Sequence, residues 1–390
     1  MPTVAVFDFL SHEFMHHPFN EGYLRLLRAA FPGDRVIFHA RPGHIERLAP
    51  RFADADRIEF RPCPPFAVPF GLSRHNPIAG RLGARRCWDS IVAGIGQENL
   101  RLAAVLGVEA NLYAVLRRAW PRFAPAPLHM ILHNHLADAA SWRSRNPFYR
   151  AFDLVSVLQR PLPPHVRLVA LELGISDAVA AIAPAVAPSL ETLEHPVLVS
   201  EWCEAPAEDF VPPVLRIGFL GQASTGKGFD QFVELSRTCR GAPFEFHAIG
   251  ITAPDSYTFD LSGLSRKPAL TSVPRDDYVA AVAGLDLVCL PLPDIYRYVA
   301  SGSVIDAVAA LKPVVCLRNP SLDAIVARYG PIGYMADSKD DLAAFIQNLT
   351  PAGFAARRGE WIGNLRQLRE ARSPFVQGPH YAAAIARDAA

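Results

Sequence analysis

Short apolar runs alternate with stretches of helical period along almost the whole chain. Residues 3–10 read as a buried strand, 20–31 as an amphipathic helix and 35–39 as a second strand. Residues 91–118 read as one or two long helices. A strand over 128–132 ends at His133-Asn134-His135, and another over 166–173 leads into a helix over 176–183 that stops before Pro184. Further on, 215–220, 244–250, 285–291 and 313–316 read as strands, with helices from Phe229, over 274–283 and from Ser301 between them. Helix signals return at Ser373-Pro374 and run to the end. Strands that alternate with helices in this way predict α/β architecture with doubly wound parallel sheets.

At 390 residues the chain is too long for one ordinary core, so two domains are expected. The acidic, Pro-rich stretch 203–213 (CEAPAEDFVPP) reads as a linker between them. The expected division is 1–198, 199–372 and a terminal helix over 373–390 that returns to the first domain.

Composition narrows the function classes. Half of the residues are hydrophobic, 20% are charged and the net charge is +1, which argues against a nucleic-acid partner. No apolar run reaches the roughly 18 residues that a membrane span needs, and the first residues run into a strand without a signal-peptide layout. Six scattered cysteines without C-x-x-C spacing suit reduced thiols in a cytoplasmic protein better than disulfides or zinc. The charge is uneven, at +4 over residues 1–200 and −3 over 201–390. Three arginine clusters each sit beside a tryptophan: Arg81, Arg85 and Arg86 before Trp88; Arg117, Arg118 and Arg122 around Trp120; Arg143, Arg145 and Arg150 after Trp142. Such clusters suit either solvated helix faces or a peripheral contact with the inner membrane face or an anionic acceptor.

Two segments carry the candidate chemistry. In YRYVASGSVIDAVAALKPVVC, residues 296–316, a helix opens at Ser301-Gly302-Ser303, and Asp306 stands about one turn inside it. A helix N-terminus gathers unpaired N–H groups and a positive dipole end, which suits a phosphate. A carboxylate one turn in can accept hydrogen bonds from a ribose diol, although a capped helix with a solvated Asp has the same pattern. The second segment is the Gly-rich loop Gly221-Gln-Ala-Ser-Thr-Gly-Lys227-Gly228 between a buried strand and a helix.

These two segments resemble the C-terminal half of GT-B glycosyltransferases, the retaining family-4-like enzymes in particular. There, a "G-R-x-x-x-x-K-G" loop gives a Lys to the diphosphate, and an "E-x7-E, then G-x-P-V-V" segment grips the nucleotide sugar. Lys227 matches the Lys, Asp306 stands for the second Glu, and Lys312-Pro313-Val314-Val315 matches the closing strand. Gln222 replaces the loop Arg, and Tyr298 occupies the place of the first Glu, which in the family approaches the donor sugar. The resemblance covers roughly residues 196–350 well and the N-terminal half only in pattern.

The resemblance implies two Rossmann-like domains across a cleft and a glycosyltransferase that moves a sugar from a nucleotide-diphosphate sugar to a saccharide or lipid-linked acceptor. It implies retention of configuration, no metal and no cofactor beyond the donor substrate. Lys227, Ser224 and Thr225, with the N–H groups of Ser301, Gly302, Ser303 and Val304, would hold the diphosphate. Asp306 would hold the ribose, and Tyr298 would stand on the donor side. The base would stack near Ile251 or residues 270–273, and bacterial polysaccharide assembly is the usual setting. His133, at a strand's carboxyl end, is the catalytic candidate, with His135 second. His16, His17 and Asn20, after the first strand, are acceptor-side candidates.

Other readings stay open. His12-Glu13-Phe14-Met15-His16 is a literal H-E-x-x-H, but the helix is expected to begin after it, near Pro18, and no third ligand follows at a convincing spacing. The loop 221–228 nearly matches a Walker A loop, yet Gly228 stands where Mg²⁺ needs a Ser or Thr. His247, in mid-strand, reads as a core residue. A sugar-nucleotide epimerase of the same fold would need cleft acids, of which Glu13, Glu21 and Asp138 are candidates. A degenerate sugar-nucleotide-binding protein is the third reading, motivated by Gln222 and Tyr298.

Overall fold

The computed structural model describes residues 1–13, 15–53, 57–64, 76–137, 144–200, 202, 211–239 and 243–389. The chain divides into two compact units. One comprises Met1–Pro196, Arg297–Ala300 and Arg372–Ala390, and the other Val197–Tyr296 and Ser301–Ala371.

The first unit is built on seven strands: β1 (Thr3–Asp8), β2 (Arg35–Ala40), β3 (Ile58–Pro62), β4 (Leu100–Leu106), β5 (Leu128–Ile131), β6 (Val166–Leu171) and β7 (Leu190–Leu193). Their order is β3-β2-β1-β4-β5-β6-β7, and every neighbouring pair is parallel. Helices α1 (His17–Ala30), α2 (Pro77–Ile95), α3 (Ala110–Phe123), α4 (Pro147–Arg150) and α5 (Leu173–Ile182) belong to it. All six residues of β1 are buried, as expected of a central strand with both faces covered.

The second unit has β8 (Leu215–Leu220), β9 (Phe244–Ile249), β10 (Leu287–Leu290), β11 (Val314–Leu317) and β12 (Gly333–Ala336), in the parallel order β12-β11-β10-β8-β9. Among its helices are α6 (Phe229–Thr238), α7 (Arg275–Ala283), α8 (Gly302–Ala309) and α9 (Pro351–Ala371). Phe219, Phe229 and Phe232 fill its core, with ring centroids 5.1 and 5.4 Å from Phe219.

The fold class is the expected one, and one segment needs correction. Residues 91–118 are not one or two helices: α2 ends at Ile95, the central strand β4 follows, and α3 starts at Ala110. Burial overrides the pattern here, because Leu102 to Leu106 are buried and their strand pairs along both edges, with β1 and β5. Most of the expected linker, residues 203–210, lies outside the described residues.

The last helix, α10 (Pro374–Ala389), packs against α1 within the first unit. A Cβ on Gly378 would stand 2.6 Å from that of Ala29, so the helices approach closely there. The Tyr381 hydroxyl lies 2.9 Å from that of Tyr23 and 2.6 Å from His129 Nδ1. Just before it, Arg372, fully buried, forms a bidentate pair with the buried Glu172 carboxylate. Glu172 also accepts the His195 backbone N–H at 3.3 Å, so one buried acid ties β7's exit to the start of α10.

Among the described residues no helix is long and apolar enough to cross a membrane. The five described cysteines are all buried and free. Of the tryptophans beside the arginine clusters, Trp120 is a core residue whose indole N–H donates to Ala126 O at 2.8 Å. Trp142 and Arg143 lie outside the described residues.

Candidate functional site

In the second sheet β8 lies between β9 and β10, so the chain leaves β8 toward one side and returns on the other. Such a reversal leaves a crevice at the carboxyl ends of the two strands, where open α/β sheets bind ligands. The loop 221–228 rises from β8 at this point, and the loop before α8 follows β10.

Glycine shapes the first of these loops. Gly221 and Gly228 have φ of +87° and +76°, a region that disfavours side chains. A Cβ on Gly228 would stand 2.1 Å from the carbonyl oxygen of Pro291, so the two loops meet backbone to backbone. That approach carries Lys227 toward α8: its Nζ donates to Ser303 Oγ at 3.2 Å, and Ser303 Oγ donates to Leu220 O at 2.8 Å. Ser301 caps the helix, its Oγ accepting the Val304 N–H at 3.4 Å, while Gly302 is exposed at the helix start. A partly buried ammonium therefore sits against the first turn of a helix whose N–H groups point the same way. Burial lowers the Lys227 pKa, and the Asp306 carboxylate opposes that shift.

Asp306 is engaged. Its Oδ2 accepts the Tyr278 hydroxyl at 2.9 Å and its Oδ1 the Arg275 guanidinium at 3.4 Å. Burial raises its pKa, with Arg275 as the main opposing charge. The Arg275 guanidinium in turn lies over the rings of Trp202 and Tyr278, 5.1 and 5.3 Å from their centroids. Sequence reasoning missed Arg275 and Tyr278. They open α7 in an R-D-D-Y string that matches no motif, and only the fold brings α7 beside α8.

The remaining expected residues are placed as follows. The Ser224 carbonyl accepts the N–H groups of Lys227 and Phe229, at 3.0 and 3.1 Å, and so closes the loop. Thr225 gives both its N–H, at 3.0 Å, and its hydroxyl to the exposed Asp255. Tyr298 is only 8% exposed and belongs to the first unit's core.

In the first unit, the loops after β1 and β5 bring His16 and His133 together at 4.1 Å between ring centroids. Phe19 lies 4.8 Å from His133 and 5.1 Å from His195. His133 has φ +44°, and its Nδ1 is enclosed without a hydrogen-bond partner among the described residues. Its pKa is well below the usual value, first through burial and then through His16, His195 and His135. The pair is therefore neutral near pH 7, since His16 is also lowered by burial. His195 donates from Nδ1 to Pro196 O at 3.0 Å.

Asn20 is buried, its amide donating to Asp8 Oδ2 at 2.7 Å and lying 2.9 Å from His44 Nε2. It holds the loop that carries His16. His17 reaches the Arg47 carbonyl at 3.0 Å. The H-E-x-x-H string does not form a helical metal face: Glu13 and His16 both have left-handed backbones, and α1 begins only at His17.

No family model and no curated protein matches the chain. Solved structures do match it along nearly its whole length. Sucrose-phosphate synthase from Thermosynechococcus elongatus aligns with a TM-score of 0.69 and 13% identity, over 99% of this chain and 100% of that one. WaaG, a glycosyltransferase involved in lipopolysaccharide biosynthesis, aligns at 0.62 and 11%, over 99% of both chains. A trehalose-6-phosphate structure from E. coli, bound with UDP-2-fluoro glucose, aligns at 0.61 and 10%, over 99% of this chain and 98% of that one. Identities this low speak for architecture alone, and by architecture this chain has the GT-B fold of glycosyltransferases.

Proposed function

We propose that the protein is a glycosyltransferase that takes its sugar from a nucleotide-diphosphate donor bound in the second unit. The observation that carries this is the Lys227 ammonium against Ser303 in the first turn of α8, at the reversal point of the sheet. A pyrophosphate there would meet one fixed cation and the N–H groups of Gly302, Ser303 and Val304. When the sugar leaves, negative charge grows on the pyrophosphate, and preorganised donors stabilise it without a metal. Asp306 would take the ribose hydroxyls, held for that task by Tyr278 and Arg275. The neutral His133, beside His16, would serve the acceptor, which we take to be a saccharide or a lipid-linked saccharide. Retention of configuration follows the family resemblance. One of the neighbouring structures holds a UDP sugar, so UDP donors are the first to try.

The epimerase reading loses one of its acids, because Glu21 is buried and paired with Arg25 and Arg51, both at 3.0 Å. Incubation with UDP-, GDP- and ADP-sugars, followed by chromatography of the nucleotides and sugars, tests the proposal. Free nucleoside diphosphate from the native enzyme and none from Lys227→Ala is the expected result. An isomerised sugar would establish the epimerase instead, and failure to bind any nucleotide would refute both.

A further inference from the structure

A groove of about 920 Å³ opens on the first unit between α2, α3 and α4. Its lining combines two chemistries. Arg81, Arg85, Arg118 and Arg122 stand around it, all exposed. Ile78, Leu82 and Phe148 line it as well and are 68, 62 and 57% exposed, among the most exposed large apolar side chains described. Trp88 and Phe152 continue the apolar surface inward, and the Arg81 guanidinium lies 5.6 Å from the Phe152 centroid. The spacing explains the pattern. Ile78 and Leu82, and likewise Arg81 and Arg85, are four apart on α2 and so share one face.

Helices α2, α3 and α4 together carry seven arginines and one acid, Asp89, which lies 3.9 Å from Arg85. Among the described residues no Asp or Glu lines the groove. A small free anion would leave the apolar side chains in water. A second copy of this chain placed symmetrically would bring arginine against arginine. An occupant with both an apolar phase and a dense layer of negative charge satisfies both halves, and guanidinium groups above apolar stems suit such a boundary.

We propose that this groove docks the protein on a membrane surface containing anionic phospholipid. Ile78, Leu82 and Phe148 would enter the acyl boundary while the four arginines meet the phosphates. The inference is independent of the donor reading, since none of these residues belongs to the second unit.

Co-sedimentation with vesicles of phosphatidylcholine, alone or mixed with phosphatidylglycerol, tests it. Binding should require phosphatidylglycerol and weaken with added salt. Each Arg→Gln change at 81, 85, 118 or 122 should cost about fivefold in affinity. The triple variant Ile78→Ser, Leu82→Ser, Phe148→Ser should lose binding even at low salt. Circular dichroism and nucleotide titration of the same variants should match the native protein, which shows that the fold and the second unit are intact. Absence of vesicle binding, or equal binding by the variants, would overturn the proposal. So would a native dimer in light scattering that Phe148→Ser dissociates, because the face would then be a self-interface.

Discussion

Replacing Lys227 with Met should lower nucleotide affinity while leaving the protein as stable as before or more so. The ammonium lies 3.2 Å from Ser303 Oγ and is partly buried. A phosphate oxygen about 4 Å away would attract it by about 4 kcal/mol at an effective dielectric near 20. Part of that is offset because the phosphate gives up water, and charged hydrogen bonds commonly net about 1.5–3 kcal/mol. The expected loss is therefore about 10- to 150-fold in Kd, read by calorimetric titration with UDP, GDP and ADP. The stability change runs the other way, because burial of the charge lowers the Lys227 pKa below 10.5. Between the lowered value and 10.5 the unfolded chain binds more protons than the folded one, so native stability rises with pH in that window. Met abolishes this rise. Denaturant unfolding at pH 7.5 and 9.5 measures it. Unchanged nucleotide affinity would refute the site, and a large loss of stability would refute the electrostatic account of Lys227.

Three further outcomes are expected. Arg372→Met should cost about 3–5 kcal/mol, because it leaves the buried Glu172 carboxylate uncompensated. Without Arg372 the Glu172 pKa rises further, so the variant's deficit should be full at pH 8 and shrink as the pH falls toward 5; a deficit independent of pH in urea unfolding would contradict this. Gly228→Ala should abolish nucleotide binding and cost at least about 1–2 kcal/mol for its left-handed backbone, since its Cβ would meet Pro291 O at 2.1 Å; a native-like titration would count against the loop geometry. Tyr381→Phe removes a hydroxyl shared with Tyr23 and His129 and should cost about 1–3 kcal/mol, with hydrogen exchange accelerated in α10 and α1 if the contact holds that helix.

The sequence by itself determined the second unit in some detail. Leu215–Leu220 is a strand, Phe229 opens a helix, and Ser301 caps another, all as the pattern of apolar and punctuating residues requires. These signals are local: a short apolar run, a positive-φ glycine, a capping hydroxyl. The tertiary structure alone decided what local signals cannot carry. Leu100–Leu106 is a short apolar run that suits a buried helix as well as a buried strand, and only its neighbours β1 and β5 make it a strand. Trp120 and Tyr298 look available in the sequence, yet both are consumed by the first unit's core. Arg275 and Tyr278 reach Asp306 across 31 and 28 residues of chain, and His16 meets His133 across more than a hundred. Contacts of that kind exist because parallel strands of one sheet deliver their following loops to the same edge, a consequence of strand order that no stretch of sequence contains.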